Sequence, residues 1–224
     1  MDKKIISGII AAALFSAAGA ATAHEAGDII VRAGAAVVAP NESSDHVVTP
    51  DLGDLGEFDV SNNTQLGLNF GYMLTDNIGV ELLAASPFSH DVKLAGVGKI
   101  AETKHLPPTL VVQYYFGDAQ SKVRPYIGAG VNYTNFFDTK FTNDLGGKLS
   151  NLSMENSWGL AGQVGIDYQV TDKLLVNASI WYAQIDSDVS FDYAYGDNNE
   201  NTAAVTIGTD IDPWVYMVSV GYVF

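Results

Sequence analysis

The sequence predicts an all-β chain: an eight-stranded antiparallel transmembrane β-barrel with long extracellular loops and short periplasmic turns. Three observations carry this reading. A secretory leader is followed by no further stretch long enough for a membrane helix. Side chains alternate in character along a series of strand-length segments, and the connections between those segments alternate between long and short.

The leader comes first. Lys3 and Lys4 supply a basic start, Ile5 to Ala20 an apolar run, and Ala21-Thr22-Ala23 a small-residue cleavage site. The run is short for a span of ~20 residues, so a cleaved signal peptide over 1–23 is preferred to an anchor helix. The mature chain is then 24–224, beginning at His24, and if it sits in a bilayer it must do so as a closed barrel. The chain has no cysteine. An exported protein without disulfide staples must draw its stability from closure of a sheet, which points to a bacterial outer membrane.

Charge narrows the function classes. The formal net charge is −15, and −16 once the leader with its two lysines and one aspartate is removed. Nucleic acid is excluded as a partner, because its phosphates require a basic surface. Asp45, Asp51, Asp54, Glu57, Asp188, Asp192, Asp197 and Glu200 fall between the predicted strands. Solvated loops account for them; bridging by divalent cations to an anionic lipopolysaccharide surface is the sharper alternative.

The strands are predicted near 28–39, 60–74, 78–88, 104–116, 124–137, 157–170, 174–186 and 213–224. The connections run long, short, long, short, long, short, long. The short ones hold turn residues: Thr75-Asp76-Asn77, Gly117-Asp118-Ala119 and Thr171-Asp172-Lys173. Outer loops alternating with periplasmic turns are the wiring of an even-stranded outer-membrane barrel.

Within the second strand Leu66, Leu68, Phe70 and Tyr72 share one face, against Gln65, Gly67, Asn69 and Gly71. The sixth sets Trp158, Leu160, Val164, Ile166 and Tyr168 against Gln163 and Asp167. The seventh sets Leu174, Val176, Ala178, Ile180 and Tyr182 against Asn177, Ser179 and Trp181. A soluble barrel would turn its larger apolar set inward. Here the other face is too hydrophilic for a dry core, so the apolar face meets lipid. Trp158 and Tyr168 stand ten residues apart on one face, as do Trp214 and Phe224. Ten residues at ~3.3 Å rise and about 40° tilt cover roughly 25 Å, the height between two aromatic girdles. Tyr72, Tyr114 and Phe116 are assigned to the periplasmic girdle, and Phe88, Tyr133 and Tyr182 to the outer one. The final strand alternates outward apolar residues up to Tyr222 and Phe224. It looks like the closing-strand signal read by the barrel-assembly machinery.

The sequence resembles the OmpW family of eight-stranded outer-membrane barrels over essentially the whole mature chain. The likeness starts at His24-Glu25-Ala26-Gly27. It is carried by Asn62-Asn63-Thr64-Gln65-Leu66-Gly67-Leu68, by Thr75 through Ala85, by His105-Leu106-Pro107-Pro108-Thr109-Leu110 and by Arg124-Pro125-Tyr126-Ile127-Gly128-Ala129-Gly130. Ser157-Trp158-Gly159 and Asp212-Pro213-Trp214 complete it. The resemblance implies passage of small hydrophobic molecules across the outer membrane through a narrow apolar lumen. It also implies a link to phage or colicin reception, which would depend on a last outer loop, about 187–210, longer and more acidic than the family's pattern.

An eight-stranded barrel is just wide enough for side chains to fill, so a porin-sized water channel is excluded. Near the periplasmic end the inward set holds Arg32, Glu81, Gln113, Asp167 and Asn177, expected to form a closed polar plug in which Arg32 and Glu81 pair. Higher up sit Leu83, Trp181 and Phe136. Leu83 and Trp181 match the family's constriction residues, though structural filling accounts for them equally. With the lower lumen plugged, an apolar solute would leave sideways. Pro87, late in the third strand, and Pro107 and Pro108, early in the fourth, fall at similar height and cannot donate to a ladder. A lateral exit there competes with a simple bulge or rim.

An enzyme is not expected. The histidines are His24, His46, His90 and His105, and Ser86 and Ser89 lack a nucleophile motif. No metal or cofactor is expected, since the loop carboxylates lack the spacing of a calcium loop. The remaining alternative is a structural or receptor barrel that presents acidic loops without transport.

Overall fold

The computed structural model describes residues 24–95, 97–196 and 198–224. The expected signal peptide over 1–23 lies outside the described residues, as does Asp197. In chain order the strands are β1 (Ile29–Ala39), β2 (Ser43–Ser44), β3 (Val48–Thr49), β4 (Gly53–Asp54), β5 (Phe58–Val60), β6 (Asn63–Met73), β7 (Ile78–Ala85), β8 (Phe88–Leu94) and β9 (Gly98–Leu106). They continue with β10 (Thr109–Tyr115), β11 (Val123–Phe141), β12 (Leu149–Met154), β13 (Ser157–Gln169), β14 (Leu174–Ala183), β15 (Asp186–Tyr195), β16 (Asn201–Asp210) and β17 (Trp214–Val223).

Eight of these close a barrel. The order is β1, β6, β7, β10, β11, β13, β14, β17 and back to β1, every pair antiparallel. Closure leaves no free edge inside the bilayer, where an unpaired backbone group would cost several kcal/mol. Period-2 alternation then sorts the side chains. Leu66, Leu110, Leu160, Val164, Val218 and Val220 face outward, while Asn69, Val111, Gln163, Asp167 and Ser219 are buried inside. On the outer girdle Tyr133 stacks on Trp158 and Tyr182 on Trp214; on the periplasmic girdle Tyr114 meets Phe116 and Tyr222 meets Phe224. At the seam that closes the barrel, the Phe224 amide donates to the Ile29 carbonyl at 3.0 Å.

Two periplasmic turns share one device. The Thr75 hydroxyl accepts the amides of Asn77 and Ile78, and the Thr171 hydroxyl accepts those of Lys173 and Leu174. A threonine thus mimics a backbone acceptor in each Thr-Asp-x turn. The third turn uses Gly117 at φ +81°.

The outer connections depart from the expectation of loops. β8 and β9 form a hairpin that pairs onto the upper part of β11, with β5 at its edge, and β12, β15, β16 and β2 form a second sheet. The strand expected over 78–88 therefore stops at Ala85 and restarts at Phe88, and the one expected over 104–116 is split at Pro107-Pro108 into the end of β9, which already begins at Gly98, and β10. Val189, Phe191, Tyr193 and Ile207 point inward here, so Asp188 and Asp192 sit on the outer face of a strand rather than in a loop. The abundance of acid hid a period-2 pattern.

Phe88 is a further correction. Strand parity in the sequence assigns it to the outer girdle, but it is buried at 2 % exposure. In β7 the odd residues Gly79, Glu81 and Leu83 face inward, whereas in β8 the even residues Phe88 and His90 do. Pairing runs Leu83↔Thr109 and then Phe88↔His105, so one extra residue lies on the β7–β8 side. That bulge inverts the parity of β8 relative to β7, while odd residues stay inward in both β9 and β10.

Candidate functional site

The lower lumen is crossed by one polar network, each member placed by an inward strand position. Arg32 of β1 donates through Nη1 to Glu81 of β7, and through Nη2 to Asp167 of β13 at 2.5 Å and to the Tyr115 hydroxyl at 2.9 Å. Asn69 and Gln163 both donate to Glu81 Oε1 at 2.9 Å, and Gln163 accepts from Gln113 at 2.9 Å. Asn177 donates to Asp167 at 2.7 Å and to the Tyr126 hydroxyl at 2.9 Å. Every one of these residues is buried. Three buried charges persist because Arg32 pairs with both carboxylates and every carboxylate oxygen of Glu81 and Asp167 accepts a hydrogen bond. Arg32, Glu81, Gln113, Asp167 and Asn177 thus meet in one belt.

The belt extends beyond those five residues. Asn69, Gln163, Tyr115 and Tyr126 were all legible from strand parity as inward. His24 was not: its side chain folds back so that Nε2 lies 2.6 Å from Asp167, while its carbonyl accepts from Arg124 at 3.0 Å. Tyr126 fits because it lies on Gly165, where a Cβ would come within 2.3 Å of its ring. Below the belt Tyr115, Tyr126, Ile30, Met73, Leu175 and Val223 pack as an apolar floor.

Above the belt the lining is apolar. Leu83, Trp181 and Phe136 belong to one buried cluster with Phe88, Val111, Ile185 and Met217. Leu83 and Trp181 line a narrow apolar cavity together with Thr109, Asn132 and Val215. Phe136 sits one level higher, its ring 5.7 Å from that of His105. Higher still, the two outer sheets flank a second apolar space, whose walls include Phe58, Leu94, Ile100, Leu149, Phe191 and Tyr193. This upper chamber has its own hydrophobic cluster, separate from that around Trp181.

The three prolines come together at a break in the wall. Between Leu83↔Thr109 and Phe88↔His105 no pairs form, and Pro87, Pro107 and Pro108 occupy the gap. The Pro107 carbonyl accepts instead from the side chains of Thr109 at 3.0 Å and Asn132 at 3.3 Å. Pro107 also lines the lower cavity, so the break and the cavity adjoin.

Comparison with known proteins agrees with this architecture. The OmpW family model matches residues 25–224. The chain belongs to the OmpW family. Outer membrane protein W of Escherichia coli (strain K12) is 50 % identical over the full length of both chains. The crystal structure of outer membrane protein OprG from Pseudomonas aeruginosa superposes with TM-score 0.82 at 42 % identity, covering 91 % of this chain and 99 % of that one. A more distant relative, the dibenzothiophene metabolism operon protein PahQ of Pseudomonas aeruginosa, is 31 % identical over 75 % of each chain. As an OmpW-family barrel the protein resides in the bacterial outer membrane, and its outward apolar face is lipid-covered.

Proposed function

We propose that this barrel carries small hydrophobic molecules from the outer surface into the membrane. A solute enters the upper chamber, passes the constriction at Phe136, Leu83 and Trp181, and leaves sideways between β7 and β10 at Pro87, Pro107 and Pro108. The observation that carries this reading is the conjunction of a sealed polar floor with an interrupted ladder beside the apolar cavity. An apolar solute gains nothing by crossing a belt of charges, whereas the acyl chains beyond the break are as apolar as itself. The break lies level with the outer aromatic girdle, where the Tyr133 amide donates to the Pro108 carbonyl, so a solute leaving there meets the upper boundary of the apolar band. The relative named for a dibenzothiophene metabolism operon supports an apolar cargo. The expected accessory features are cleavage after Ala23, recognition of Tyr222 and Phe224 by the barrel-assembly machinery, and lipopolysaccharide around the outer rim.

The test is flux into liposomes that carry the purified barrel. Small apolar solutes should cross and polar ones of equal size should not. Replacing Pro87, Pro107 and Pro108 together with alanine should slow the apolar flux by restoring donors to the ladder. Unchanged flux would remove the lateral route. A receptor reading is favoured by one observation, the outward acidic row Asp188 and Asp192 on the outer sheet, which could meet phage, colicin or cation-bridged lipopolysaccharide. Loss of a binding phenotype on trimming β15–β16, with transport absent throughout, would establish it instead.

A further inference from the structure

The partition between the two cavities is built from four rings, and two of them are imidazoles. Phe88 and His105 lie 5.5 Å apart, His90 and His105 4.9 Å, and His105 and Phe136 5.7 Å between centroids. His105 lines the lower cavity, and Thr103, the next inward residue on its strand, lines the upper chamber. Both histidines are buried to 2 % exposure, and Nε2 of each has no hydrogen-bond partner. Phenylalanine would fill the same space without leaving a polar atom unsatisfied.

The hydrogen-bond roles are partly fixed. His90 Nδ1 lies 2.5 Å from the Ser61 carbonyl, an oxygen that only accepts, so Nδ1 carries the proton and Nε2 is a bare acceptor. His105 has no such constraint and can present Nε2 as a donor. Both rings stand above the outer girdle, His105 pairing with Phe136 beyond Tyr133. Burial there keeps them neutral, drawing His105 down to about 3 and lowering His90 as well. A pair of neutral imidazoles, one accepting and one free to donate, matches a group that does both.

We propose that His90 and His105 form a binding site for the hydroxyl head of a small amphiphile, an apolar chain with one O–H, which donates to His90 Nε2 and accepts from His105 Nε2. The chain of the ligand lies in the apolar cavity against Leu83 and Trp181. Both nitrogens are sealed in the unliganded molecule, so the ligand reaches them by displacing the ring contacts of Phe88 and Phe136. This deepens the transport reading and rests on it: the passage selects alcohol-like solutes over bare hydrocarbons.

Trp181 reports directly. In the full-length barrel carrying Trp158→Phe and Trp214→Phe, Trp181 is the remaining tryptophan. Its fluorescence is titrated in lipid nanodiscs with 1-hexanol and with hexane, at matched mole fraction in the bilayer. The expected result is a saturable response with hexanol favoured roughly tenfold, the return on about one hydrogen bond. His90→Phe with His105→Phe should erase that preference while hexane still binds; His105→Gln should keep most of it. Equal response to the two probes in the parent barrel overturns the proposal and leaves the transport reading standing. A preference that survives the double substitution overturns it too, and a response to neither probe overturns both. Should the double variant not fold, His105→Phe alone and the parent comparison decide.

Discussion

The two halves of the barrel interior solve the same packing problem with opposite materials. Below, Arg32, Glu81 and Asp167 are locked with Asn69, Gln113, Gln163 and Asn177 into a network that fills the bore. Above, Leu83, Trp181, Phe88 and Phe136 fill less of it, and cavities remain on both sides of the four-ring partition. Hydrogen bonds are directional and short, so a polar network tolerates no slack. Dispersion contacts are individually weak and can open locally. The lower half is therefore a floor and the upper half a passage. The wall follows the same division: β7 and β10 pair without interruption beside the belt and separate where the lining turns apolar.

The sharpest way to break this comparison is at the floor. Arg32→Met would leave Glu81 and Asp167 buried without their cation, and about 3–5 kcal/mol of stability should be lost. Urea unfolding in detergent, followed by the gel shift of the folded barrel, would measure it. A loss no larger than that of an upper-half substitution would mean that the belt is not the rigid element.

Leu83→Ala tests the upper half. Because a cavity already adjoins Leu83, the cost should lie near the low end for buried leucine, about 2 kcal/mol, while flux of a small apolar solute into liposomes rises. A fall in flux would place the constriction elsewhere. Gly165→Ala acts on the floor more gently than the loss of a charge. Its methyl group would push the Tyr126 hydroxyl away from Asn177, at about 1–3 kcal/mol. Tyrosine fluorescence and the unfolding midpoint should change together.

The smallest expected effect concerns acid. His90 and His105 have folded pKa values below the ordinary 6.5, so the unfolded chain takes up their protons first. Their contribution to stability is complete above pH 6.5 and declines as pH falls through that value toward about 3 for His105. By pH 5 the loss should be on the order of 1–2 kcal/mol, and His105→Phe should flatten the slope between pH 6.5 and 5. An unfolding midpoint independent of pH across this window would contradict the burial of the pair.

Much of the belt was legible because parity alone places Arg32, Glu81, Gln113, Asp167 and Asn177 on inward faces. Which of them touch was not, since contact across the bore depends on the stagger of strands far apart in sequence. His24 lies outside that reach for a related reason: it precedes β1, so no periodicity describes it, and its partners Asp167 and Arg124 stand on distant strands. Phe88 was misplaced because a single inserted residue near Pro87 reverses which face a strand presents, and counting by twos cannot detect an insertion. The outer sheets were missed where strand alternation was masked by Asp188 and Asp192, which composition reads as loop.

By itself the sequence determined that this chain is a lipid-facing barrel, with its strand number, its girdles and its polar lower bore, because each of these follows from local alternation and from the fixed rise per residue. Tertiary structure alone decided where the wall opens, which rings divide the two cavities and how the belt is wired. Those features depend on the register between strands, and register is a property of pairs that no single strand contains.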